Sequence, residues 1–149
     1  YFSHSSNASI WVRVLPIPES VRHKNIDVLL ENYVNDLTGN VYDYYLGTGA
    51  QERRVGTEIL ERKAIRVGGR PAYSVTFDVA NLDQLEMNKD APRQRVRLVL
   101  VSRALRKEFN EAYPSAPGYL MLGYGNDAQA FDTLLPDFEK FLTRIGFAR

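Results

Sequence analysis

Cysteine is absent from this sequence, which excludes disulfides, thiolate metal sites and cysteine nucleophiles. Histidine occurs only at His4 and His23, and neither has a recognisable set of further ligands, so we interpret both as surface residues rather than metal ligands. No apolar run approaches the roughly 18 residues of a membrane-spanning helix. The formal net charge is +1, which provides no general attraction to nucleic acid. We therefore expect no metal, no cofactor and no nucleic-acid partner.

The length of 149 residues fits a single domain over positions 1–149 with a core of its own. Hydrophobic residues at 44% and charged residues at 25% are ordinary for a globular protein. The chain begins at Tyr1 rather than Met, so we expect an excised piece or a mature product. This beginning leaves room for a signal peptide or a lipid-anchor segment upstream.

The first half of the chain contains a strand, a helix and a hairpin. Alternating apolar residues predict a strand over Ala8–Leu15. A helix follows, with Asn25 as its cap and Gly39 just past its end. Its core-facing stripe comprises Ile26, Leu29, Leu30, Tyr33, Val34 and Leu37. Strands over 57–67 and 72–80 are joined by a Gly-Gly turn at 68–69. The first of them slips phase near 61–64, which predicts a β-bulge.

The second half of the chain continues the sheet and ends in a helix. Residues 81–94 are polar and are interpreted as a mobile hairpin connection, and strands follow over 95–103 and 118–125. An interruption at 104–117 has the spacing of a short amphipathic helix. Pro136 is expected to divide the terminal helix into two pieces. The apolar stripe of that helix comprises Phe131, Leu134, Leu135, Phe138, Phe141, Leu142 and Ile145.

This order of elements predicts an α+β fold with a single antiparallel sheet packed between helices, an α/β/α sandwich. Three stretches carry a resemblance to a known family: 8–14 before the first helix, 69–77 after the turn, and 118–124 leading into 131–147. Together they resemble the PsbP/Mog-type fold, and the chain is similar to PsbP-like bacterial lipoproteins. These motifs consist of core and turn residues, so they indicate the fold better than the function.

The resemblance implies scaffold or partner-binding roles and no common catalytic constellation. In that family, photosystem members engage a membrane complex, Mog members bind a small GTPase, and related bacterial chaperones bind hydrophobic helices. No motif in this chain selects one of these partners. The resemblance also implies an extracytoplasmic domain that is membrane-anchored through a segment upstream of Tyr1.

The motifs of common enzyme classes are missing. There is no Gly-x-Ser-x-Gly elbow, and the Gly-containing segment 45–50 lacks the Gly-Lys-Ser/Thr ending of a phosphate loop, so a flexible loop is the favoured interpretation. A basic group could form a phosphate-binding stripe, but we favour a solvated sheet edge. It comprises Arg93, Arg95, Arg97, Arg103, Arg106 and Lys107.

Two segments combine aromatic residues with positions outside the regular elements, as partner-binding surfaces do. The candidate partner-binding residues are Tyr42, Tyr44, Tyr45, Leu105, Phe109 and Tyr113. Packing of two of the three adjacent tyrosines into the core is the competing interpretation.

Three functions remain open. The leading hypothesis is a non-enzymatic protein-binding or assembly domain, the soluble part of a cell-envelope lipoprotein. The alternative is a small-molecule or lipid-binding module with a pocket between the sheet and the 104–117 insertion. The third is an enzyme, which would need perturbed titratable groups in a cleft.

Overall fold

A computed structural model describes residues 2–3, 8–15, 25–36, 55–102 and 119–147. Its strands are β1 (Phe2–Ser3), β2 (Ser9–Leu15), β3 (Val55–Val67), β4 (Arg70–Asn81), β5 (Gln94–Ser102) and β6 (Tyr119–Asp127). The helices in these ranges are α1 (Ile26–Asp36), α2 (Leu82–Met87) and α3 (Phe131–Thr143). The predicted insertion at 104–117 lies outside the described residues.

The six strands form one sheet in the order β1-β2-β6-β5-β4-β3. Every neighbouring pair is antiparallel. This confirms the predicted α+β class with a single antiparallel sheet. The order places β5 between β4 and β6, well inside the sheet, and leaves β3 with one strand neighbour among the described elements.

Side chains of the strands alternate between two hydrophobic clusters, as the two-residue period of a strand requires. On what we call the first face, Phe77 of β4 and Leu98 of β5 share a cluster with Leu30 of α1. On the second face, Val99 of β5 and Tyr124 of β6 share a cluster with α3. The buried residues that α3 contributes are Phe131, Phe138 and Leu142. Leu37 lies outside the described residues, and all other residues of the two predicted apolar stripes belong to these clusters or pack against them.

The predicted bulge in β3 is present but lies earlier in the strand. The pairing with β4 shifts between Ile59 and Glu61, so Leu60 is the inserted residue, and it is 44% exposed. Ile59 packs against the first cluster and Ile65 against the second. An even spacing of six would place both on one face, so one extra residue has to intervene.

The Gly68-Gly69 turn between β3 and β4 is confirmed. Both residues have positive φ, +57° and +78°, the left-handed region that favours glycine. At Gly68 a side chain is also excluded by packing, because a Cβ would lie 2.7 Å from Cδ2 of Phe147. The hairpin tip is thereby packed against the segment that follows α3.

The interpretation of 81–94 as a polar hairpin connection was wrong for its first half, which forms α2. Asn81 caps this helix, because its side-chain oxygen accepts hydrogen bonds from the backbone N–H groups of Asp83 and Gln84 at 3.0 and 3.1 Å. The cap is visible in the sequence as Asn81 followed by an acidic residue in the first turn. A helix of only six residues leaves too short an apolar pattern for detection.

Division of the terminal helix at Pro136 was also wrong, since α3 continues through it. Proline removes the donor that would pair with the carbonyl of Asp132. Asp132 and Pro136 are both exposed, so water can satisfy that carbonyl. Phe131 and Phe138, on either side of the proline, pack in one cluster. Their shared burial keeps both halves of the helix on the same axis.

Candidate functional site: a buried polar cluster beneath the terminal helix

Polar side chains concentrate on the second face of the sheet, where α3 lies against it. We name this group the polar cluster. It comprises Ser74, Asp78, Arg95, Arg97, Asn126 and Glu139. The strand register aligns its members, because Asp78 pairs with Arg95 and Arg95 with Asn126 across β4, β5 and β6. Three adjacent strands therefore contribute to one polar area.

Arg97 is the most deeply buried charge of the polar cluster, with 4% of its side chain exposed. Its Nε donates a hydrogen bond to Oγ of Ser74 at 2.9 Å, and its Nη1 forms an ion pair with Glu139 of α3. The guanidinium also lies over the ring of Phe138, with 5.7 Å between its Cζ and the ring centroid. Because Glu139 is 47% exposed, this ion pair extends from the interior to the helix surface.

Arg95 forms a bidentate ion pair with Asp78 on the neighbouring strand. Its Nε and Nη2 donate to the two carboxylate oxygens at 2.7 and 3.2 Å. This hydrogen bonding raises the pKa of Arg95 above its usual value. The guanidinium lies 5.9 Å from the ring centroid of Phe131. Phe131 and Phe138 are two turns apart on α3, so each ring covers one arginine.

The solvated-edge interpretation of the basic group was therefore wrong for Arg95 and Arg97. β5 has a strand on each side, and its second-face side chains are covered by α3. Arg93 is half-buried and forms an ion pair with Glu58 at 3.4 Å. Arg103, Arg106 and Lys107 lie outside the described residues. Alternation along β5 was predicted correctly, but strand order in the sheet is a tertiary property that alternation does not contain.

Tyr124 and Asn126 bind the beginning of α3 to β6. The phenol of Tyr124 donates to the carbonyl oxygen of Phe131 at 2.7 Å, and the side-chain amide of Asn126 donates to that of Ala130 at 3.1 Å. Ala130 provides no side-chain cap of its own. The start of α3 is thus held by side chains of the preceding strand.

Burial raises the pKa of Tyr124 above its ordinary value, an effect that the hydrogen bond from Asn126 partly offsets. The folded state favours the neutral phenol, so this contribution to stability is complete below the ordinary tyrosine pKa of about 10. It is lost as pH rises through the higher pKa of the folded state. We expect spectrophotometric titration of the folded protein to show one tyrosine that ionises above the ordinary tyrosine pKa. This titration step should be absent from Tyr124→Phe. The prediction is contradicted if the difference between the titration curves of the wild type and the variant is centred near pH 10, the value expected for urea-unfolded protein.

The pKa of Tyr73, on the first face, is also raised. Burial and, secondly, the nearby Glu31 carboxylate raise the pKa of Tyr73, whose phenol donates to Glu31 at 3.5 Å. Catalysis by a tyrosine base or nucleophile needs a pKa lowered toward neutrality. In Tyr73, Tyr124 and Arg95 the shift instead reinforces the ordinary protonation state. Chemically, the polar cluster is suited to holding α3 on the sheet.

Sequence reasoning did not single out Ser74, Asp78, Asn126 or Glu139. A signal existed in β4, where Ser74, Thr76 and Asp78 alternate with buried apolar residues on the opposite face. A strand with apolar residues on one face and small polar residues on the other usually borders water. Complementary charge on the adjacent strand, at Arg95, was the additional sign that these groups pair inside the protein.

All six residues predicted to bind a partner lie outside the described residues, as do His4 and His23. The segments that carry the six attach to opposite ends of the sheet. Residues 37–54 lead into Val55, which pairs with Asn81, whereas residues 103–118 join Ser102 to Tyr119 at the other end. In the described ranges no group of three or more acidic or histidine side chains could hold a metal ion.

No protein-family model matches this chain, and no curated protein matches it. In the part of the chain that the structure describes, no helix is long and apolar enough to cross a membrane.

Proposed function

We propose that this chain is a non-enzymatic protein-binding or assembly domain built on a PsbP/Mog-like α/β/α sandwich. The sandwich assignment is supported by the two hydrophobic clusters. One contains α1 with the first face of β4 and β5, and the other contains α3 with the second face of β5 and β6. Such a scaffold leaves its loops free to carry recognition.

The pairing within the polar cluster is the observation that carries the non-enzymatic part of the proposal. Arg95 is paired with Asp78 and Arg97 with Glu139, so these charges are used to attach elements of the scaffold to one another. The raised pKa values of Tyr73 and Tyr124 point the same way. A tyrosine acting as a catalytic base or nucleophile would instead need a lowered pKa.

Recognition is assigned in this proposal to the segments 41–46 and 105–113. Tyrosine supplies a large contact area with few rotatable bonds, which suits an interface. The described strands that the two segments lead into or join have Val55 at one end of the sheet and Ser102 and Tyr119 at the other, so we test the two segments by separate substitutions. The resemblance further supports the proposal that the domain is the soluble part of an anchored envelope protein. A lipobox cysteine encoded upstream in the gene would support that part.

The test compares partner capture by Tyr44→Ala, Tyr45→Ala and Phe109→Ala, each immobilised through the C-terminus and incubated with envelope extract of the native organism. If the tyrosine segment docks, either tyrosine variant should lose roughly 1–2 kcal/mol of binding, about a five- to thirty-fold loss. Melting should change little. Val28→Ala is the matched control, because Val28 is an exposed apolar residue on α1 at 39% exposure.

Strong destabilisation of both tyrosine variants, with capture lost only through unfolding, would show that the tyrosines are core residues. An equal loss in Val28→Ala would show that capture is non-specific. The lipid-binding alternative would be favoured by saturable binding of phospholipid vesicles or of an apolar dye. That binding should be reduced by Phe109→Ala, and no captured protein should compete with it.

A further inference from the structure

Sulfur chemistry in this chain is confined to two side chains, because the sequence has no cysteine and two methionines. These are Met87 and Met121, and their environments are opposite. Met87 is 90% exposed, whereas Met121 is fully buried at 0% exposure in the first-face cluster. Thioether oxidation requires access of the oxidant to sulfur. The two sulfurs should therefore differ greatly in reactivity.

Met87 is the last residue of α2, a helix whose two ends are held by other residues. Asn81 caps its beginning, and the backbone N–H of Asn88 donates to the carbonyl of Gln84 at 2.8 Å. The side chain of Asn88 accepts from the backbone N–H of Asp90 at 3.0 Å, which fixes the chain just after Met87. None of these hydrogen bonds involves the Met87 side chain, so a change at its sulfur leaves the helix ends intact.

We propose that Met87 is a surface site of reversible oxidative modification, with peroxide-class oxidants as its substrate. In the reaction, the thioether sulfur attacks one oxygen of hydrogen peroxide and the O–O bond breaks. Sulfur gains that oxygen to become the sulfoxide, its formal oxidation state rises by two, and the remaining oxygen leaves as water after proton transfer. The product is polar and remains in solvent, so the fold tolerates it. The same reaction at Met121 would place a polar group in the core.

The experiment treats the folded protein with hydrogen peroxide and follows oxygen uptake by peptide mass spectrometry. We expect one oxygen atom at Met87, with an unchanged melting temperature. Met121 should react at least about a hundredfold more slowly, because only the small unfolded fraction exposes it. Methionine sulfoxide reductase with dithiothreitol should restore the original mass. Met87→Leu is the matched variant, since leucine conserves volume and helix propensity, and it should take up no oxygen while folded.

Equal oxidation rates at the two sulfurs in folded protein would overturn the proposal, as would a Met87 that resists peroxide. A fall in melting temperature in step with oxidation of Met87 would contradict the claim that the fold tolerates the product. Treatment in urea is the control for intrinsic reactivity. There both methionines should react at similar rates, so a difference in urea would show that burial is not the cause.

Discussion

Phe138→Ala is expected to lower the free energy of unfolding by about 3–5 kcal/mol. The Phe138 ring is fully buried, lies 5.7 Å from the Tyr124 ring and covers Arg97. Truncation would leave a cavity between α3 and the sheet, and it would also remove the aromatic surface beneath a buried guanidinium. Urea denaturation followed by circular dichroism measures the effect.

Phe141→Ala is the matched control on the same helix. The Phe141 ring is half-buried and packs at the periphery of the cluster, so its removal should cost clearly less than removal of Phe138. If Phe138→Ala leaves the melting temperature unchanged, α3 does not close the core, and the sandwich assignment fails. Equal losses for both variants would show that the helix is not oriented as described.

Gly123→Ala is the substitution with the second large expected effect, and it should lower the free energy of unfolding by about 3 kcal/mol. Trp11 lies directly opposite Gly123 on β2, and its ring occupies the space above that residue. A Cβ at position 123 would lie 2.2 Å from Cε2 of Trp11, far inside van der Waals contact. Trp11 is buried at 8% exposure, so the ring has little room to withdraw. Denaturant unfolding provides the measurement.

Gly125→Ala tests whether the cost arises from the clash rather than from alanine in a strand. There the nearest Trp11 atom is 3.3 Å from the added Cβ, and the loss should be about 1 kcal/mol or less. In a Trp11→Ala background, Gly123→Ala should become nearly neutral, because its clash partner is gone. An unchanged cost in that background would exclude the clash as the cause.

The positions of the arginines in β5 show which properties the local sequence pattern predicts and which it does not. In β5, alternation correctly placed Arg95 and Arg97 on the face opposite Leu98. Alternation describes which side chains share a face, but it is the same in an edge strand and in a central one. Only the strand order, with β4 and β6 on either side, shows that these arginines lie on a central strand, where Asp78 and Glu139 pair with them.

The sequence by itself determined the α+β class, the two helix stripes and the Gly68-Gly69 hairpin, because each depends on residues close together in the chain. Apolar spacing and the conformational freedom of glycine act locally. The tertiary structure alone decided the site of the bulge at Leu60, the continuity of α3 through Pro136 and the pairing of Arg97 with Glu139. Each of these depends on contacts between elements, whose packing and buried charge outweigh local preference.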